Sequence, residues 1–220
     1  MNSRDKILAN LRAQERELPH PPAWRSRRNF DDLVARFTEA LTSVKGEVFY
    51  AESLTAATDR LSEQIEALNA RKIVYNNEAP LIELGLAQRW PQLDWHQVGQ
   101  NEDALRQFCV EADLGLSSAT VALAETGSIV LTTGPGRSRL ATLLPTVHLA
   151  MIPTSRLVSD IFTWTGRREA AFPVAGQPPS NLVFVSGPSK SADIGQTLAV
   201  GVHGPKRFMV ILYEDTVDEG

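Results

Sequence analysis

From Gly46 onward, short β-prone runs alternate with stretches of helical periodicity, and few architectures accept that alternation. Glu47–Ala51, Lys72–Tyr75 and Leu93–Val98 read as strands. A helix follows each: one opens at Thr55 or Thr58 and ends near Asn69, one spans Pro80–Trp90, and one spans Glu102–Ala112. Short loops between such units predict an α/β fold: an open, mostly parallel sheet with helices on both faces and right-handed crossovers. Such a sheet needs a large apolar core. Hydrophobic residues make up 43% of the 220, which is ample, and the length favours one large domain.

The rhythm breaks at Leu114–Thr133. Val121–Ala124 and Ile129–Thr132 are β-prone, and Glu125-Thr126-Gly127-Ser128 between them reads as a hairpin turn with Gly127 at positive φ. Gly134-Pro135-Gly136-Arg137 then leads into a helix over Ser138–Leu144, a strand over Val147–Ile152 and a helix over Thr154–Phe162. Thr165–Ser180 reads as a long surface loop. Leu182–Val185 reads as a buried strand, Ser186–Ser189 as a tight turn, Lys190–Val200 as a helix, and Arg207–Tyr213 as the strand that closes the sheet.

Ahead of this body, Ser3–Leu18 has a narrow helical stripe of Ile7, Leu8 and Leu11. Pro19, Pro21 and Pro22 form a stiff connector. Asn29 is the expected cap of a second helix with Phe30, Leu33, Val34, Phe37 and Leu41 on one face. The expected division is a helical arm over 1–45 and an α/β domain over 46–220. The arm has three open destinations: its own body, a second copy in a homo-oligomer, or another subunit. Arg25, Arg27 and Arg28 read as a solvated linker.

A net charge of −4 argues against a nucleic-acid partner. Met1–Asn10 is polar and no apolar run is long enough to cross a bilayer, so the expectation is a cytoplasmic chain without membrane insertion. Cys109 is the only cysteine and sits on an apolar helix face, which predicts packing rather than nucleophilic chemistry. One thiol cannot hold an iron–sulfur cluster by itself. His20, His96, His148 and His203 are scattered and carry no metal-site spacing; His148, inside an apolar run, is expected to be packed.

Open α/β sheets bind ligands beyond the C-terminal ends of their strands. Three loops are placed there by the reading above, and a shared pocket is the expectation. In the first, Glu125 lies between two apolar runs, which suits a carboxylate to acid–base or nucleophilic work. Thr126 and Gly127 accompany it. In the second, Gly134 and Gly136 allow close backbone approach, and Arg137 and Arg139, the latter favoured, offer forked donors to a carboxylate or phosphate. In the third, Gly187, Pro188, Ser189 and Lys190 precede the expected helix and form an anion cradle at its N-terminus, with Asp193 in the first turn. His203 and Gly204 follow in a glycine-flanked turn, with His203 a candidate acid–base group.

The segments AETGSIVLTT (124–133), LLPTVHLAMIP (143–153) and GPSKSADIGQTLAVGVHGPKR (187–207) resemble, in this order, the lactate-utilisation protein C family of LUD-domain proteins. The resemblance implies the fold shared by coenzyme A transferases, ribose-5-phosphate isomerase and glucosamine-6-phosphate deaminase. It implies the small component of a system that oxidises L-lactate to pyruvate, with iron–sulfur clusters carried only by partner subunits and no cofactor in this chain. It also implies an alternative: a stand-alone enzyme on a coenzyme A thioester or sugar phosphate with Glu125 as nucleophile or base.

Overall fold

The computed structural model describes residues 3–13, 25–26, 28–171, 179, 181–192, 198–200 and 203–215. Its main feature is a sheet built from β1 (Glu47–Ala51), β2 (Lys72–Tyr75), β3 (Asp94–Gln97), β4 (Leu114–Ser117), β7 (Val147–Pro153) and β12 (Arg207–Tyr213). Their spatial order is β1-β12-β7-β4-β2-β3, and every neighbouring pair is parallel. The two strands at the middle of the apolar sequence, β7 and β12, are buried along almost their whole length, as a sheet covered on both faces requires. The last strand does not close an edge; it slots between β1 and β7.

Side chains alternate across the sheet. On one face Ile73, Leu114, Leu149, Met151, Met209 and Ile211 meet Ala57, Leu61 and Ile65 of α3 (Leu54–Ala67), which Ser53 caps by accepting from Ala56 N at 3.1 Å. On the other face Val74 meets Leu105 and Cys109 of α5 (Glu102–Glu111) and Ala141 of the short α6 (Leu140–Leu143). Farther along that face, Ala150, Ile152, Phe208 and Val210 pack against α2 (Leu33–Ser43) and a second sheet. The second sheet consists of β5 (Val121–Leu123), β6 (Ser128–Thr132), β8 (Leu157–Val158) and β9 (Leu182–Val185), in the order β8-β5-β6-β9. The open parallel sheet with helices on both faces, the β5–β6 hairpin and Gly127 at φ +63 all match the sequence reading.

Several local expectations fail for identifiable reasons. Lys190–Ala192 and Leu198–Val200, the described ends of the expected helix, are strands. β10 (Lys190–Ala192) and β11 (Leu198–Val200) pair antiparallel, because Ser189 N bonds Pro205 O at 2.9 Å and draws the ends of the segment together. Leu182–Val185 is not a buried strand but the edge of the second sheet, with Leu182 and Phe184 exposed. Thr154–Phe162 is not one helix: β8 pairs with β5, and α7 (Ile161–Ala171) begins only after Asp160, whose Oδ1 accepts from Thr163 N at 2.7 Å. That helix takes up the first part of the expected loop and buries Trp164. Pro80–Trp90 is divided by Gly85 at φ +58 into a 3₁₀ turn and the short α4 (Leu86–Arg89). β4 is central in the sheet, although the sequence reading assigns no strand to Leu114–Ser117.

The second helix is capped by Asp32, not Asn29, and its Phe37 and Leu41 are fully buried, so α2 packs into the body. α1 (Ser3–Ala13) buries none of its residues, and Ile7 and Leu11 are exposed. The proline connector, Arg27, Asp193 and the tail beyond Asp215 lie outside the described residues.

Candidate functional site

The Glu125 turn is pressed against α2. A Cβ on Gly127 would stand 2.3 Å from Leu41 N, so only glycine fits both the torsion and the space. Glu125 N donates to Ser159 O at 2.9 Å, and Arg36 Nη2 donates to Glu125 O at 3.0 Å. The Glu125 carboxylate is ion-paired with Arg28. The segment read as a solvated linker is therefore docked: besides the Arg28 pair, the Ser26 hydroxyl donates to the buried Asp160.

The third loop lies beside the first. Ser128 Oγ is 2.7 Å from Ser186 Oγ and 2.8 Å from Thr126 Oγ1, a chain of hydroxyls joining the two turns. Gly187 stands against Val44 at the end of α2, and Lys190 Nζ donates to Val44 O. His203 is exposed; its N–H donates to Ser189 Oγ at 3.3 Å, and Gly204 packs over Ser189. With no helix after Ser189, the expected cradle of free helix-end amides is not formed there. α2 runs directly into β1, so these two turns lie toward the N-terminal edge of the parallel sheet, not its C-terminal edge.

The Gly134–Arg139 loop is the one that sits beyond a strand's C-terminal end. Asn77 N donates to Gly136 O at 2.8 Å and Ser138 N to Asn76 Oδ1 at 3.0 Å, tying the loop to the exit of β2. β6 and β9 run between this loop and the other two, so the three do not share one pocket. Gly136 adopts φ +71, and the Arg137 guanidinium folds over Gly134, its Nη2 only 2.9 Å from where a Cβ would be.

This loop forms a cleft of about 760 Å³ with Thr133, Leu140, Leu143 and Asn181. Arg139 is exposed and Arg137 half-buried, and among the described residues neither guanidinium has a hydrogen-bond or ion-pair partner. The Asn181 side-chain oxygen is buried and, among the described residues, has no donor. Two unopposed cations beside apolar leucines suit a small anion with an apolar end.

A second cleft, of about 500 Å³, lies at the exits of β1, β2, β7 and β12, and no motif in the sequence marks it. Reading the residues just after each parallel strand would have found it: Glu52 and Ser53, Pro80, Arg156, and Glu214 and Asp215. Arg156 Nη1 is occupied, donating to Ser118 Oγ at 2.9 Å and Ala119 O at 2.7 Å. Burial pushes the Asp215 carboxyl up, but hydrogen bonds from Ser155 and the Arg156 charge outweigh it and hold it below the ordinary range. Its surplus of carboxylates makes this cleft unfavourable to an anion.

Two buried groups are structural. His148 lies with Nε2 2.8 Å from Ser117 Oγ, and burial drives its imidazole down to about 3. Burial also pushes the Cys109 thiol up to about 11. No group of three or more His, Cys, Asp or Glu placed to hold a metal occurs among the described residues, and no helix there is long and apolar enough to cross a membrane.

Residues 34–213 match the family model described as the LUD domain. A Lactate utilization protein C from Halalkalibacterium halodurans is 35% identical over 193 residues, covering 84% of this chain and 80% of that protein. One from Exiguobacterium sp. is 36% identical over 186 residues, covering 84% and 79%. One from Bacillus subtilis is 29% identical over 216 residues, covering 90% and 86%. The crystal structure of a DUF162 family protein from Deinococcus radiodurans superposes with a TM-score of 0.61 at 20% identity, covering 82% of this chain and 96% of that one, which establishes likeness of fold. The model match spanning most of the chain, together with relatives above 30% identity, makes this protein a member of the LUD domain family.

Proposed function

We propose that this chain is the small, cluster-free component of an L-lactate utilisation system and that it binds a small carboxylate in the Gly134–Arg139 cleft. The relatives named Lactate utilization protein C support the biological setting. The observation that carries the ligand assignment is the pair of guanidinium groups, Arg137 and Arg139, left without an acidic partner among the described residues in a cleft also walled by Leu140 and Leu143. A lactate-sized acid places its carboxylate on the arginines and its methyl group on the leucines. Iron–sulfur partner proteins supply the electron acceptors in this reading, since one buried cysteine cannot hold a cluster.

The reading of a stand-alone enzyme built on Glu125 has less support, because that carboxylate is already paired with Arg28. Calorimetric titration with L-lactate tests the proposal. Arg139→Gln should weaken binding roughly tenfold or more, the loss of a charge-assisted contact. Undiminished affinity in that variant would remove the cleft from consideration.

A further inference from the structure

We infer that the cleft at the exits of β1, β2, β7 and β12 binds an organic amine, with the Tyr213 hydroxyl as its buried polar contact; the inference is independent of the carboxylate reading of the arginine loop. Tyr213 ends β12, and its ring packs on the face of the sheet that meets α3. The residue is only 6% exposed, yet it lines the cleft. Its hydroxyl has no hydrogen-bond partner among the described residues and is not sealed off, since the unpartnered side-chain atoms closed to solvent there belong to Arg36, His96 and Asn181. The charges that act on the phenol are those of Arg156, Asp215 and Glu83, which line the same cleft, so the oxygen faces into it. Burial pushes the phenol up to about 12 and keeps it neutral.

The charge of the cleft decides what can meet that oxygen. Four carboxylates, of Glu52, Glu83, Glu214 and Asp215, stand against the single guanidinium of Arg156, whose Nη1 is turned to Ser118 and Ala119. Glu214 and Asp215 accept from neighbouring hydroxyls, but Glu52 and Glu83 have no hydrogen-bond or ion-pair partner among the described residues. The complement is a cation. A bare metal ion does not fit, because no described group of acidic or imidazole side chains is placed to hold one, and a volume of about 500 Å³ is that of a small-molecule site. Leu54, Ala79 and Pro80 add an apolar wall. An alkylammonium matches both halves: its N–H groups donate to the Tyr213 oxygen and the carboxylates, and its methylenes lie on the wall.

The probe is 1,4-diaminobutane, titrated calorimetrically into the full chain, with 1,4-butanediol as its uncharged counterpart. The diamine should bind at least about tenfold tighter than the diol. Tyr213→Phe keeps the ring and removes the hydroxyl; it should weaken the diamine about fivefold and leave L-lactate affinity unchanged. Glu83→Gln, on the exposed 3₁₀ turn after Pro80, should weaken it by a similar factor and decides the matter if Tyr213→Phe does not fold. No binding of the diamine, equal binding of the diol, or an affinity that either substitution leaves unchanged, as general attraction to an acidic chain would give, overturns the inference. Failure of L-lactate to bind, with the diamine bound as expected, overturns the carboxylate reading alone.

Discussion

Lys190 Nζ donates to the carbonyl oxygen of Val44, the residue that closes α2. The ammonium group thus sits where the helix leaves its last carbonyls and its negative dipole end, with Val44 N and Gly46 N already turned back onto Leu41 O. Lys190 is a tether between β10 and α2 rather than a wall of an anion site. Lys190→Met is therefore expected to lower stability by about 0.5 kcal/mol and to leave L-lactate affinity unchanged. A drop in affinity with unaltered urea midpoint would return Lys190 to the ligand site.

Gly127 carries two constraints that substitutions separate. Its φ of +63 tolerates asparagine far better than alanine, but any Cβ meets Leu41 N at 2.3 Å and Leu41 Cα at 2.7 Å. Close approach should dominate, so Gly127→Ala and Gly127→Asn are expected to destabilise by similar amounts, roughly 2–4 kcal/mol. If asparagine restored most of the loss seen with alanine, torsion alone would be the reason for glycine.

The two N-terminal helices differ in kind. α1 buries nothing, whereas Phe37 and Leu41 of α2 have no exposed surface. Deleting residues 1–13 should leave the denaturation midpoint within error of the full chain. Phe37→Ala should cost about 3–5 kcal/mol. A collapse of the truncated protein would mean that α1 belongs to the core.

Acid should act through His148. Burial drives its imidazole down to about 3, so the folded chain keeps it neutral. The unfolded chain protonates near the ordinary value of about 6.5. Stability is therefore full above that value and falls as the pH drops toward the folded value, by up to about 1.4 kcal/mol per pH unit. His148→Gln, which can still bond Ser117 and does not titrate, should flatten the dependence of unfolding free energy between about pH 6 and 4. An unchanged slope would place the acid sensitivity elsewhere.

Much of this architecture is local in origin and was legible from residue order. The periods of β1, β2, α3 and α5, the hairpin turn at Gly127 and the packed character of His148 depend on neighbours a few residues away. The errors fall where partners are distant. Lys190–Val200 matches helical spacing, yet with Ser189 bonded to Pro205 its two described ends pair as antiparallel strands. Leu182–Val185 is apolar enough for a core strand, but its position at a sheet edge leaves Leu182 and Phe184 exposed.

By itself the sequence determined the fold class, the family and the residue types available for binding, because these follow from periodicity, turn chemistry and recognisable segments. Only the tertiary structure decided which loops meet. Ser128 reaches Ser186 across 58 residues, Arg28 reaches Glu125 across 97, and the arginine loop is left at the far end of β6. Strand order and register set those meetings. They are settled by which apolar faces can be buried together, a property of the assembled sheets that no short stretch of chain contains.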